Sequence, residues 1–175
     1  MALKKLVLGG GCFWCVEAVF SNVKGVIKAL SGYTGGARKN PSYEQVCTGV
    51  SGHAEVVEIE YDDAIITMQE LLDIFWEIHD PTTLNAQGAD RGTQYRSVIY
   101  YEDEAQKEII LDSIKKASLK FRDKIVTEAS PLPTFYVAEA YHQNYFALNP
   151  NQGYCQVVIV PKLQKFMTHF PEKLS

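Results

Sequence analysis

Leu6-Val7-Leu8-Gly9-Gly10-Gly11-Cys12-Phe13-Trp14-Cys15-Val16-Glu17-Ala18-Val19-Phe20 is the stretch on which the rest of the chain is organised. An apolar run leads into three glycines, and Val16, Val19, Phe20 and Val23 then follow at helical spacing, so the segment reads as strand, glycine turn, helix. Cys12 falls at or just before the first helical turn. Unpaired N–H groups and the positive end of the helix dipole favour a thiolate there. Phe13 and Trp14 beside a reactive sulfur suit an apolar group on a substrate. The plainer alternative is a buried thiol with two core aromatics; three glycines, helix onset and paired rings together favour chemistry.

Outward from this stretch the elements alternate. Strands are expected at Lys4–Leu8, Val26–Tyr33, His53–Tyr61 and Ser97–Tyr101, with a further one at Pro133–Ala138. Helices are expected at Trp14–Asn22, from the capping pattern Thr67-Met68-Gln69-Glu70 to about His79, and from Asp103 to Phe121. Thr34–Gly52 and Asp80–Arg96 read as polar loops; one as long as the second is usually functional or flexible. Tyr141–Leu148 reads as a short helix, Val157–Val160 as a strand and Lys162–Thr168 as a last helical turn or two. The order of the first six elements, strand-helix-strand-strand-helix-strand, predicts an α+β, two-layer sandwich with a split β-α-β (ferredoxin-like) core. Its sheet is mainly antiparallel, with an extra helix and an irregular C-terminal segment.

A chain of 175 residues, 46% hydrophobic and 22% charged, suits one domain, residues 1–175. A formal charge of -4 and no Lys/Arg cluster argue against nucleic acid as a partner, and no apolar run reaches membrane-spanning length. The start, Met1 to Leu8, is too short an apolar region for an export signal, so the expected address is cytoplasmic. In a reducing cytosol Cys12, Cys15, Cys47 and Cys155 point to catalysis, redox chemistry or metal more than to structural disulfides.

Cys12-x-x-Cys15 supports three readings. Half a zinc site would need Cys47 and His53 at undiagnostic spacing, and zinc is the weakest. A thioredoxin-like thiol–disulfide exchanger using Cys12 and Cys15 is the alternative, since the pair has the right strand-to-helix position. The third makes Cys12 a lone nucleophile with Cys15 inside the helix. A Glu55 turned inward beside aromatics could deliver a proton, although a solvent-facing carboxylate is the default. The segment from Asp90 to Ser97 is polar and runs from a loop into a strand. His142 reads as a satisfied histidine beside aromatics, and Cys155 sits in a turn-rich segment from which it could reach an oxidised cysteine.

Gly11-Cys12-Phe13-Trp14 with Val16-Glu17, Gly52-His53-Ala54-Glu55, Asp90 through Ser97, Tyr141-His142-Gln143, and Asn149-Pro150 with Gly153-Tyr154-Cys155 resemble the peptide methionine sulfoxide reductase A family. The motifs keep the family's order over nearly the whole chain. The resemblance implies reduction of methionine sulfoxide, the S epimer at sulfur, free or in proteins. It implies Cys12 as nucleophile, Phe13 and Trp14 as the methyl pocket, Glu55 as acid, and Tyr43, Asp90 and Tyr95 as the residues holding the sulfoxide oxygen. No bound cofactor or metal is expected; thioredoxin would be the external reductant and the protein would act as a monomer. The tail departs from the family: no cysteine follows Cys155, so a relay through a C-terminal pair has no second thiol. Cys155 is then the expected resolving cysteine, with Cys15 open as an alternative whose pairing inside a helical turn would distort it. Cys47 is expected to be structural.

Overall fold

The computed structural model describes residues 3–175; Met1 and Ala2, part of the segment read for an export signal, lie outside the described residues. Strand β1 (Leu3–Gly9) leads through the glycines into helix α1 (Phe13–Phe20), then β2 (Val26–Thr34), a short helix α2 (Tyr43–Cys47) and β3 (Ala54–Asp62). Helix α3 (Met68–Ile78) follows, then a two-residue hairpin β4 (Ala86–Gln87) and β5 (Asp90–Arg91), a 3-10 turn at Thr93–Tyr95, and β6 (Val98–Tyr101). Helix α4 (Glu104–Ala117), strands β7 (Glu128–Pro131) and β8 (Tyr136–Val137), and helices α5 (Tyr145–Leu148) and α6 (Val160–His169) complete the chain. The main sheet runs β7-β6-β1-β3-β2-β8, and every pair is antiparallel except β6 with β7. The fold is therefore mixed α+β on a mainly antiparallel sheet.

Period-two alternation decides which side chains meet the helices. Leu6 and Leu8 of β1, with Glu55, Val57 and Ile59 of β3, turn to one face, where the apolar residues among them join Phe13, Val16, Phe20, Leu71, Phe75 and Phe166 in the main core. Val7, Ala54, Val56, Val98 and Tyr100 turn to the other face and are covered by Leu132 and Phe135. Register puts Glu55 opposite Tyr33, on the helix side.

Three expectations change. The segment Pro133–Ala138 is not one strand: β7 forms earlier, on the β6 edge, and only Tyr136–Val137 pairs with β2 at the far edge. Between them the chain crosses the sheet, so Leu132 and Phe135 serve as a lid on its second face, with Phe135 lying directly over Gly32. Val157–Val160 is helical, a π-helical turn at Cys155–Ile159 running into α6. Ile159, Leu163 and Phe166 fall at i, i+4 and i+7, and that apolar stripe packs onto the core and outweighs the β propensity of the valines. The loop Thr34–Gly52 contains α2, opened by a capping box in which Ser42 Oγ accepts from Gln45 N (3.3 Å) and Gln45 Oε1 accepts from Ser42 N (2.9 Å).

Candidate active site

The turn that delivers Cys12 needs its glycines for separate reasons. Gly11 has φ +91°, where an L side chain is strained, and a Cβ on Gly10 would lie 2.9 Å from the Phe75 ring. Cys12 then takes the N-cap position of α1 with extended backbone (φ −62°, ψ 130°) and supplies no side-chain cap. The cap comes from another strand: Phe13 N donates to Glu55 Oε1 at 3.2 Å. Glu55 is 1% exposed, and its second oxygen, Oε2, has no partner among the described residues. Burial wins over the Phe13 N–H, and the Glu55 carboxyl is pushed up to about 8. At neutral pH it holds a proton on a group whose free oxygen can donate.

Cys12 is 8% exposed, and here the expectation from helix position is corrected. Burial pushes its thiol well up, and contact with Cys15 and the nearby Glu55 carboxyl push the same way. Cys15 moves in the opposite direction, lowered first by the hydrogen bond from Cys12 and then by Lys162 and Tyr154. Of the two thiols, Cys15 is the one that ionises more readily. Cys12 precedes the helix, and Cys15 N donates back to Cys12 O at 3.1 Å across the first turn.

Aromatic rings wall the site. Phe13 packs 5.6 Å from Tyr33 and 6.4 Å from Tyr43 between ring centroids. Trp14 stacks on Tyr145 at 3.7 Å and 6°, meets Tyr154 edge-on at 5.8 Å, and donates its indole N–H to His142 Nδ1 at 3.0 Å. Tyr43, on α2, and Tyr95, on the 3-10 turn, both have phenols raised by burial first and by the Glu55 carboxyl next. Two protonated hydroxyls thus flank the acid.

Asp90 joins through an intermediary. It accepts from Tyr154 Oη at 2.6 Å, and the same oxygen lies 3.7 Å from Cys15 Sγ. Burial, then the thiols and Asp90, keep that phenol protonated. Cys155, next along the chain, is fully buried on the π-helical turn, and burial raises its thiol; Cys15 is the thiol whose charge reaches it. Cys47, expected to be structural, is exposed at the end of α2. All four thiols are free.

Cys12, Phe13, Trp14, Tyr43, Glu55 and Tyr95 are thus gathered around one another, Asp90 behind Tyr154, and Cys155 behind Cys15. Four participants were missed. Tyr154 was visible only as part of Gly-Tyr-Cys. Tyr145 carried no local signal, and Glu17 was visible only as part of the first motif. His142 is not the satisfied histidine expected, because Nδ1 accepts from Trp14 while Nε2 has no partner among the described residues. His53, a candidate zinc ligand, has both ring nitrogens on backbone, Nδ1 to Gly36 N (3.0 Å) and Nε2 to Arg38 O (2.5 Å). Among the described residues no three His, Cys, Asp or Glu side chains gather to hold a metal ion. None of the described helices is long and apolar enough to cross a membrane.

The family model for peptide methionine sulfoxide reductase matches residues 4–174. A peptide methionine sulfoxide reductase MsrA of Nautilia profundicola is 58% identical over 168 residues, 94% of this chain and 95% of the relative. One from Sulfolobus acidocaldarius is 55% identical over 168 residues, 96% of each chain. Among solved structures, reduced Mxr1 from Saccharomyces cerevisiae superposes with a TM-score of 0.81 at 35% identity, covering 87% of this chain and 89% of that one. Mxr1 in complex with Trx2 aligns with a TM-score of 0.57 at 26% identity, covering 82% and 84%.

Proposed function

The chain belongs to the peptide methionine sulfoxide reductase family, and on that premise we propose which residues carry the reaction. The enzyme reduces methionine sulfoxide to methionine by cysteine chemistry, with thioredoxin recycling the oxidised protein. Cys12 attacks the sulfoxide sulfur as a thiolate, while Glu55 gives its proton to the departing oxygen from Oε2. Phe13 N–H holds Oε1 still, and the Tyr43 and Tyr95 hydroxyls hold the oxygen. Phe13 and Trp14 receive the methyl group, which orients the S epimer. The protonated oxygen passes from the substrate sulfur to Sγ as the S–O bond and the transient Sγ–sulfur bond break, so methionine leaves with the electron pair and Cys12 is oxidised to a sulfenic acid. A second thiol condenses with it, releasing water and forming a disulfide, and a dithiol reductant restores both thiols.

One observation carries this reading: a buried carboxyl, protonated near neutral pH, anchored to the backbone of the residue after Cys12 and keeping its second oxygen free. Cys155 is proposed as the resolving thiol, from its place after Gly153-Tyr154 on a turn packed against α1. A second reading is favoured by the contact of Cys15 with Cys12: Cys15 condenses first. A pulse of methionine sulfoxide without reductant, followed by mass mapping of the disulfide, separates the two. A protein still fully reduced after the pulse would end both.

The order β6-β1-β3-β2, all antiparallel, with α1 joining β1 to β2 and α3 lying between β3 and β6, supports the split β-α-β reading of the core. We further propose that residues 1–175 form a single catalytic domain, supported by one continuous core from Leu6 to Phe166. It would act as a cytoplasmic monomer on free and protein-bound substrate.

A further inference from the structure

We propose that Arg96 is a positioning residue, whose guanidinium holds the turn that presents Tyr95 to the sulfoxide oxygen. The inference rests on the reading of Tyr95 as one of the two hydroxyls on that oxygen. Tyr95 sits on a single 3-10 turn, Thr93–Tyr95, closed by Tyr95 N donating to Gly92 O (3.0 Å), with Gly92 at φ 139°. One such turn, between a two-residue hairpin and β6, has little stiffness of its own. Tyr95 packs toward the main core, on the helix side of the sheet. Period-two alternation places Arg96 instead with Val98 and Tyr100, whose side chains lie on the second face. The arginine therefore grips the turn from behind the site.

Each edge of the guanidinium has a partner, and the side chain is only 15% exposed. Nη1 donates to Thr93 O at 2.9 Å, the carbonyl that also accepts Arg96 N at 3.2 Å, so side chain and backbone close on one oxygen. Nε lies 3.4 Å from Glu128 Oε1 on β7, and Nη2 donates to Tyr100 Oη at 3.4 Å. Glu128 is itself tied, accepting from Ser130 Oγ at 2.9 Å and donating its N–H to Ser97 O at 3.0 Å. A Cβ on Gly35 would lie 2.8 Å from Nη2, so the same group presses on the first residue of the loop that leads to α2 and Tyr43. From the other side Gln94 Nε2 donates to Cys47 O (3.3 Å) and Thr93 Oγ1 to Gly49 O (3.4 Å), which joins the turn to the end of α2. A planar fork lets one side chain brace Thr93, β6 and β7 together, where a lysine offers a single point.

The test is a double-mutant cycle on the full-length protein, read as the single-turnover rate of methionine formation from methionine sulfoxide. Arg96→Met keeps the stem and removes every donor. A hydroxyl on the departing oxygen counts most as charge develops there, so Arg96→Met should slow this step about tenfold with KM within about twofold. In a Tyr95→Phe background the same substitution should cost less than about twofold, because the group it positions is already gone. A merely structural loss lowers the folded fraction, and with it the amplitude, equally in both backgrounds. An equal rate loss in both backgrounds, or none in the first, overturns the proposal. Should Arg96→Met fail to fold, Glu128→Gln replaces it in the cycle: a loss of about threefold confined to the protein that keeps Tyr95 supports the proposal, and any other outcome refutes it. Tyrosine carrying an NMR-active carbon at Cζ adds a readout free of catalysis, with the Tyr95 signal assigned by its absence from Tyr95→Phe. Arg96→Met, or Glu128→Gln in its place, should shift that signal and leave that of Tyr61 where it was; an unmoved Tyr95 signal overturns the proposal. Tyr95→Phe turning over at the parent rate would defeat the assigned role of Tyr95, and the Tyr95 signal would then decide the Arg96 link alone.

Discussion

Replacing Glu55 by Gln should make the enzyme slower and more stable at once, and the two effects have one cause. The carboxyl rises from an ordinary value of 4.5 to about 8 in the folded protein, so folding is opposed whenever an unfolded chain would ionise it. The sign follows from linkage: the group's contribution is intact below 4.5 and is lost progressively as pH rises through 8. At 1.36 kcal/mol per unit, the penalty is about 1 kcal/mol at pH 5, about 3 at pH 7, and levels off near 5 above pH 8. Gln is isosteric and its Oε1 can still accept from Phe13 N, but it does not titrate. Glu55→Gln should therefore match the parent near pH 4.5 and exceed it at pH 7 by about 3 kcal/mol, or roughly 6–12 °C in Tm for a domain this size. Its single-turnover rate should fall roughly a hundred- to ten-thousand-fold, because no proton meets the departing oxygen. Thermal melts at three pH values beside a rapid-quench assay of methionine formation measure both. A stability difference that does not grow with pH, or an unchanged rate, would refute the reasoning.

Cys12→Ser should form no methionine in any regime, whereas Cys155→Ser should stop at about one equivalent per enzyme if Cys155 is the thiol that resolves the sulfenic acid; quantifying the burst with thioredoxin present checks both. Gly11→Ala forces a side chain to φ +91° and brings its Cβ to 2.9 Å from Gln87 Cγ, so urea unfolding should show a loss of at least about 1–2 kcal/mol, with activity falling alongside. Tyr154→Phe removes the donor to Asp90 and a contact that lowers the Cys15 thiol, so alkylation of Cys15 at pH 7, followed by mass spectrometry, should slow.

The frame was legible where local and tertiary signals agree. Three glycines between an apolar run and a helical stripe could only be a strand-to-helix turn, and Thr67-x-x-Glu70 marked its helix because both halves of the capping box are local, as they are in the structure. Ser42-x-x-Gln45 carried the same signal inside a segment read as loop. The C-terminal third resisted because its residues answer to distant partners. Valines 157, 158 and 160 favour a strand by propensity, yet Ile159, Leu163 and Phe166 have helices to pack on. The Cys12 site was legible in membership but not in charge. A helix N-terminus favours a thiolate, and nothing in the first twenty residues tells that Glu55 and the Tyr154–Cys155 turn close over it. Burial then reverses the sign.

That reversal decides how the first chemical step must run. At rest the proton count in the site is Glu55 protonated, Cys12 protonated and the lower thiol at Cys15. Attack on sulfur requires Cys12 to lose its proton while Glu55 loses another to the sulfoxide oxygen. Were both anions present before substrate bound, each would raise the other's affinity for a proton, as the Glu55 carboxyl does to Cys12. The arrangement avoids this if the Cys12 proton passes in the attack itself to Cys15, the neighbouring thiol that ionises more readily. Cys15 is then a base in the first step, whatever thiol resolves the sulfenic acid later. Cys15→Ser should accordingly slow the single-turnover formation of methionine by about tenfold or more, since a serine hydroxyl offers no comparable base, and raising the pH toward 9 should not restore it, because Glu55 loses its proton as pH passes 8. Cys155→Ser, one turn of chemistry further away, should leave that step within about twofold of the parent, the loss expected of a residue outside the proton transfer. Equal first-step rates for Cys15→Ser and the parent at pH 7 would mean that the Cys12 proton leaves by another route.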